Sequence, residues 1–114
     1  MDPRNLDEVR AAITPTTKLI FVESLSNPAA VVADLEGLAQ VAHEVGIPLV
    51  VDNPMASPVL CRPFEWGADI VIHSMTKFLG GHGTSMGGIV VESGRFDWSS
   101  SGRFPGLSEP DPAY

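Results

Sequence analysis

The chain has 114 residues, 44% of them hydrophobic, and a net charge of −7. This reads as one globular domain whose acidity argues against nucleic acid or an anionic membrane surface as partner. A single cysteine, Cys61, supplies no disulfide framework, and no apolar run approaches membrane-spanning or signal-peptide character, so a cytoplasmic setting is expected.

In chain order, NLDEVRAAI (5–13) predicts a short helix capped by Asn5, with Leu6, Val9 and Ile13 on one face. TPTT breaks it, and KLIFVES (18–24) reads as a buried strand. SNPAAVVA is a loop. DLEGLAQVAHEVG (34–46) is a helix begun at Asp34, with Leu35, Leu38, Val41, Ala42 and Val45 at helical spacing and Gly46 suited to its C-terminal end. IPLVVDN (47–53) is a second strand. PMASPVLCRP, with three prolines, is expected to be loop, and FEWG one helical turn. ADIVIHS (68–74) and GGIVVES (87–93) complete four strands. Strands apolar on both faces, joined through a helix, predict an α/β fold with a parallel sheet covered by helices. Residues 1–93 form this α/β part. Residues 94–114, rich in Ser, Gly and Pro, read as an extended loop without a core of its own.

In open α/β sheets ligands sit at the carboxyl ends of the strands. There the sequence places Glu23-Ser24 leading to Asn27, then Asp52-Asn53, then His73-Ser74 leading to Thr76 and Lys77. A lysine enclosed behind a buried strand loses its proton more readily and can form a Schiff base with an aldehyde such as pyridoxal phosphate. Asp52 suits the pyridine nitrogen of that cofactor. Ser74 and Thr76, three and one residues before the lysine, can point hydroxyls at its phosphate. Taken singly, each has an ordinary reading: a surface lysine, a strand-end carboxylate, local turn capping. The glycines of GGHGTSMGG suit a turn needing positive φ, and the run is neither GxGxxG nor a Walker motif. His43, His73, His82, Cys61 and Asp52 match no zinc spacing, and no GxSxG elbow marks a serine hydrolase. Cys61 reads as a packed thiol.

ESLSNP, DLEGLAQVAHEVGIPLVVDN and CRPFEWGADIVIHSMTKFLGGHGTSMGGIVVESGRFDW, in that order, resemble the Cys/Met-metabolism class of pyridoxal-phosphate enzymes. FPGLSEPDPAY resembles its O-acetylhomoserine sulfhydrylase branch. The resemblance implies part of the large cofactor-binding domain of a fold-type I, aspartate aminotransferase-like transferase. It implies Lys77 as covalent anchor and proton carrier between Cα and Cβ of the substrate, Asp52 on the pyridinium nitrogen, Ser74 and Thr76 on phosphate, and Asn27 near the ring oxygen and substrate carboxylate. The implied reaction replaces the acetate of O-acetylhomoserine by sulfide or a thiol, giving homocysteine or methionine. A tetramer is implied for the whole enzyme.

Where the family continues DN with threonine, this chain has Pro54-Met55, and Pro54 could shift Asp52. Family members are several times longer, so the chain is expected to be an internal piece that lacks the phosphate-holding helix, the stacking aromatic residue and the substrate-gripping arginine. A cystathionine γ-synthase, cystathionine γ-lyase or methionine γ-lyase relative, a non-catalytic α/β module and a small metal-binding domain are the other readings. Strands cut from a larger sheet predict open edges and exposed apolar faces.

Overall fold

The computed structural model describes residues 2–110 and residue 113. Helix α1 (Leu6–Ala12) starts where Asn5 Oδ1 accepts the Glu8 N–H at 3.3 Å, while Asn5 Nδ2 donates to Glu8 Oε1 at 3.0 Å. Strand β1 (Ile20–Glu23) and a doubled-back loop lead to α2 (Leu35–Glu44), begun by Asp34 Oδ1 accepting from Gly37 N at 3.0 Å. The chain leaves α2 through Gly46, whose φ of +67° is the left-handed value that favours glycine. Strand β2 (Leu49–Asp52) follows.

The proline-rich segment expected to be loop contains one helical turn, α3 (Ser57–Leu60). Pro58 stands at its start, where a missing N–H costs nothing. FEWG forms the expected turn, a 3₁₀ turn over Pro63–Trp66 that ends at Gly67 with φ +89°. Strand β3 (Ile70–Ser74), a wide helical turn over Met75–Leu79, β4 (Gly88–Glu92) and a final turn α4 (Pro105–Ser108) complete the chain.

The sheet runs β1-β2-β3-β4. The first three strands are parallel, as expected, but β4 is antiparallel, with Ile72 opposite Val90 and Ser74 opposite Gly88. The reason lies in the connection. A parallel return needs a crossover that spans the sheet, and residues 75–87 turn back at the same end instead.

Alternation along the strands divides the sheet into two faces. Leu49, Val51 and Val71 meet Leu35, Leu38, Ala39, Val41 and Ala42 of α2, with Val9 of α1 joining the same core. Leu38, Val41, Leu49 and Val51 are each no more than 1% exposed. The other face carries the rows Phe21–Val50–Ile70 and Glu23–Asp52–Ile72–Val90. There Phe21 is 56% and Val90 65% exposed. Helices therefore cover one face of the sheet rather than both.

After Glu92 the chain is less open than its composition suggests. Phe96, Trp98 and Phe104 pack edge to face, with centroids 4.8 to 6.1 Å apart, and Phe104 lies against the core. One Arg103 nitrogen donates to the carbonyls of Thr14, Pro15 and Thr17 at 3.3, 2.9 and 2.8 Å, fastening this segment under the start of β1. Asp111, Pro112 and Tyr114, the end of the FPGLSEPDPAY run, lie outside the described residues.

Candidate active site

The parallel strands bring Glu23, Asp52 and Ser74 to one end and one face of the sheet. Glu23 is in register with Asp52, and Asp52 with Ile72, two residues before Ser74 on the same side of β3. Asp52 is half-buried. Burial, followed by the charge of Glu23, pushes its carboxyl above the ordinary value, while His73 pulls the other way. Among the described residues neither Glu23 nor Asp52 has an ion-pair partner. Two acids thus stand side by side at the strand ends with no cation between them.

Pro54 does not dislodge Asp52. The Asp52 carbonyl accepts Ser24 N at 2.9 Å, and Asn53 N donates to the Ile72 carbonyl at 2.8 Å, so the backbone is held from both neighbouring strands. No N–H is needed one residue later. Asn53, which the sequence reading did not single out beyond its place at the strand end, is fully buried. Its Oδ1 accepts Ser24 Oγ–H at 2.6 Å, and its Nδ2 donates to the carbonyls of Ser57 and Cys61 at 3.2 and 3.0 Å. His73 Nδ1 donates to the Asn53 carbonyl at 3.1 Å. The legible signal was an amide just beyond the apolar run Leu49–Val51 and its terminal Asp52, a place where a polar side chain is buried only if its bonds are made.

Lys77 is exposed, contrary to the enclosed position expected from the flanking Phe78-Leu79. Phe78 is itself 65% exposed and no described element packs over this turn. The helical geometry of Met75–Leu79 breaks at Lys77, with φ −86° and ψ −125°. The glycines behave as expected of a tight turn: Gly81 and Gly83 take φ +74° and +67°, and a Cβ on Gly80 would lie 2.7 Å from the Met75 carbonyl oxygen. A cleft of about 390 Å³ beside this turn is lined by Met75, Leu79, Gly80, Met86, Gly87 and Ile89.

The two hydroxyls before the lysine differ. Thr76 Oγ1 accepts Gly87 N–H at 3.0 Å and donates to Gly87 O at 3.3 Å, tying the turn to the start of β4. Its proton is already engaged, which is the local capping role. The Ser74 hydroxyl, half-buried at the end of β3, caps nothing and has no hydrogen-bond partner among the described residues. Asn27 is exposed in the loop after β1, its N–H donating to Glu23 Oε2 at 3.0 Å. The Asn27–Pro28 peptide is cis.

The remaining polar candidates have other partners. His43 Nε2 donates to Asp69 Oδ2 at 2.8 Å at the opposite end of the sheet, and His82 Nδ1 donates to Gly80 O at 2.8 Å. Cys61 packs partly against the core, its thiol pushed up by burial and by Glu65. Among the described residues no three His, Cys, Asp or Glu side chains gather as a metal set.

Three parallel strands with helices on one side and polar residues at their carboxyl ends define an α/β protein, and those ends are where such sheets bind ligands. Residues 1–107 match the sequence profile of the Cys/Met metabolism PLP-dependent enzymes, and the chain belongs to that family. It is 57% identical over 111 residues to the sulfhydrylase FUB7 of Fusarium oxysporum f. sp. lycopersici, covering 96% of this chain and 26% of that protein. It is 50% identical over 113 residues to the O-acetyl-L-homoserine sulfhydrylase of Leptospira meyeri, covering 99% of this chain and 25% of the relative. A Campylobacter jejuni crystal structure, provisionally described as an O-acetylhomoserine (thiol)-lyase and carrying N'-pyridoxyl-lysine-5'-monophosphate, superposes with a TM-score of 0.90 at 38% identity. That match covers 96% of this chain and 27% of the other. The chain therefore spans about a quarter of the length of the relatives it matches, and its fold is that of part of a fold-type I PLP-dependent domain.

Proposed function

We propose that the chain is a segment of a PLP-dependent O-acetylhomoserine sulfhydrylase, with Lys77 as the covalent anchor of the cofactor. The observation that carries this reading is the unneutralised pair Glu23 and Asp52, in register on the face and at the end of the sheet where Ser74 and the Lys77 turn emerge. The present residues fit the cofactor. A protonated pyridine nitrogen supplies the positive charge that the two acids lack, the unpartnered Ser74 hydroxyl can donate to phosphate, and Lys77 has no ion-pair partner among the described residues. Thr76 supports the turn rather than donating to phosphate from this arrangement, because its proton already points at Gly87 O.

Pyridoxal phosphate, when bound, supplies an electron sink that makes the substrate carbons acidic. The chain's residues do the rest. Asp52 keeps a proton on the ring nitrogen, which its neighbour Glu23 favours by adding negative charge. Lys77 Nζ would carry protons at Cα and Cβ of the substrate: removal of a Cβ proton would supply the electron pair that lets acetate leave Cγ of O-acetylhomoserine, and once sulfide or a thiol has added at Cγ the protons would be returned to Cβ and Cα. Asn27, exposed in the loop after β1, would donate to the ring oxygen or the substrate carboxylate, as the resemblance implies. The names of the closely similar relatives favour this reaction over that of a cystathionine γ-synthase or γ-lyase. In the resemblance, further phosphate donors and the arginine for the substrate carboxylate come from parts of the family sequence that these 114 residues do not contain. The whole enzyme is read as a cytoplasmic tetramer acting on small molecules.

The test is a pyridoxal-phosphate titration of the purified chain followed by visible absorbance, with Lys77→Ala as control and borohydride trapping with peptide mapping. A saturable yellow species lost in the variant, with the adduct on Lys77, supports the reading. An adduct spread over surface lysines, with wild type and variant alike, refutes it for this chain.

A further inference from the structure

The Asn53 side chain makes three hydrogen bonds while wholly buried. It is 0% exposed, and among the described residues no buried side-chain nitrogen or oxygen lacks a partner. Its side chain reaches β1 through Ser24 Oγ (2.6 Å) and the following loop through the carbonyls of Ser57 (3.2 Å) and Cys61 (3.0 Å). Its backbone reaches β3 twice, through Ile72 O (2.8 Å) and His73 Nδ1 (3.1 Å), and accepts Ser57 N at 3.2 Å. Ser24 and His73 are 5% and 7% exposed. The three polar residues thus join the carboxyl ends of all three parallel strands immediately beyond Asp52.

We propose that Ser24, Asn53 and His73 form a buried clamp of positioning residues that fixes the strand end carrying Asp52 and sets how strongly that carboxyl holds a proton. The clamp acts in two ways. It ties β1 to β2 through Ser24 Oγ and Asn53 Oδ1, one residue beyond the in-register pair Glu23 and Asp52, and so fixes the spacing of the two acids. It also fixes the imidazole. A carbonyl can only accept, so Nδ1 must carry a hydrogen. Glu23 stands beside Asp52 in register on the same face and raises its carboxyl, while His73, one residue beyond Ile72 and on the opposite face, pulls it the other way. Buried networks of this kind specify one arrangement because a half-made network costs more than an apolar one. Its catalytic meaning rests on the reading of Asp52 as the cofactor's acid, but the clamp itself is tested without cofactor.

The experiment is NMR on the labelled 114-residue chain. A long-range ¹H–¹⁵N spectrum of His73 is expected to show Nδ1 protonated at every pH. A ring protonated at Nε2 alone overturns the proposal without any substitution. The carboxyl ¹³C titration of Asp52 is then followed in Ser24→Ala, with Val41→Ala in α2 as a control that loosens the core away from the clamp. Ser24→Ala is expected to move the Asp52 midpoint down toward the ordinary carboxylate value, since β1 and β2 are no longer tied beside the acids and Glu23 can draw away, and Val41→Ala to lower the melting temperature without moving it. An unchanged midpoint in Ser24→Ala, or an equal shift in Val41→Ala, overturns the proposal. If Ser24→Ala does not fold, the His73 spectrum of the unaltered chain decides. Because both signals are read from the chain alone, they fail independently of the Lys77 adduct.

Discussion

Replacing Asp69 by alanine is expected to destabilise the chain far more than replacing its partner His43. Asp69 lies just before β3 and is 5% exposed. Its Oδ2 accepts two bonds at 2.8 Å, from Leu49 N at the start of β2 and from His43 Nε2 in the last turn of α2. Leu49 is 0% exposed, so in Asp69→Ala its N–H is left in the core without water or partner. Orphaning such a donor costs about 1–3 kcal/mol, and a bond to a charged acceptor contributes about 1.5–3 kcal/mol. The His43 side chain is 44% exposed and regains water, so its share falls at the low end. Together the loss is about 3–5 kcal/mol, a large part of the roughly 5–15 kcal/mol available to a domain. At about 4–8 °C per kcal/mol for a domain near this size, the melting temperature falls by at least ~12 °C. Asp69→Asn keeps an acceptor for Leu49 N and costs about 1–2 kcal/mol, and His43→Ala about 1 kcal/mol or less. Urea unfolding followed by circular dichroism, with the slope m unchanged, reads these differences. The reasoning is refuted if Asp69→Ala costs no more than His43→Ala.

The raised carboxyl of Asp52 makes stability pH-dependent in a definite sense. Between its ordinary value of 3.8 and its higher folded value the native chain binds more protons, so this contribution is present at low pH and lost as pH rises through that window. Asp52→Asn is therefore expected to melt higher than wild type at pH 7 and level with it below pH about 3.8, as differential scanning fluorimetry across pH would show. Gly67→Ala forces a φ of +89° on alanine and places its Cβ 2.7 Å from that of buried Ala39, so a loss of about 1–3 kcal/mol is expected in urea unfolding. Arg103→Ala removes three carbonyl contacts, and cleavage in residues 94–104 during limited proteolysis should quicken about fivefold, as for ~1 kcal/mol of local opening.

The sequence made the four strands legible because each is a short apolar run ending in polar residues. KLIFVES narrows to Ile20–Glu23 and IPLVVDN to Leu49–Asp52 only where the ladder stops pairing. The reversed direction of β4 was harder, since GIVVE reads alike from either end. The lack of a sheet-spanning helix between residues 75 and 87, where only the turn Met75–Leu79 forms, was the one clue. Both helix starts were visible in Asn5 and Asp34, whose side-chain oxygens cap as their type predicts. Ser74 and Thr76 could not be told apart by spacing, because their difference is made by Gly87, a partner brought in by strand pairing. Exposure of Lys77 was likewise invisible. Neighbouring Phe78 and Leu79 suggest enclosure only if something packs on them. The docking of Phe96, Trp98 and Phe104 lacked any period to announce it.

The acids at the strand ends carry an argument about purpose. Glu23 and Asp52 repel one another, and burial adds to the cost of ionising Asp52. A module kept only for its scaffold would be more stable with asparagine or glutamine at either place. The chain instead holds the Asp52 backbone with a bond from Ser24 N to its carbonyl, with the next residue's bond from Asn53 N to the Ile72 carbonyl, and with the buried Asn53 network. Supporting a destabilising carboxylate so firmly is what a binding site for a positively charged group requires, because the charge that relieves the repulsion arrives with the ligand. On this argument the non-catalytic reading makes its own prediction: Glu23→Gln would stabilise the chain at pH 7 with no effect on pyridoxal-phosphate binding. If the same variant instead stabilises the chain and weakens the Lys77 adduct, the two acids serve the cofactor.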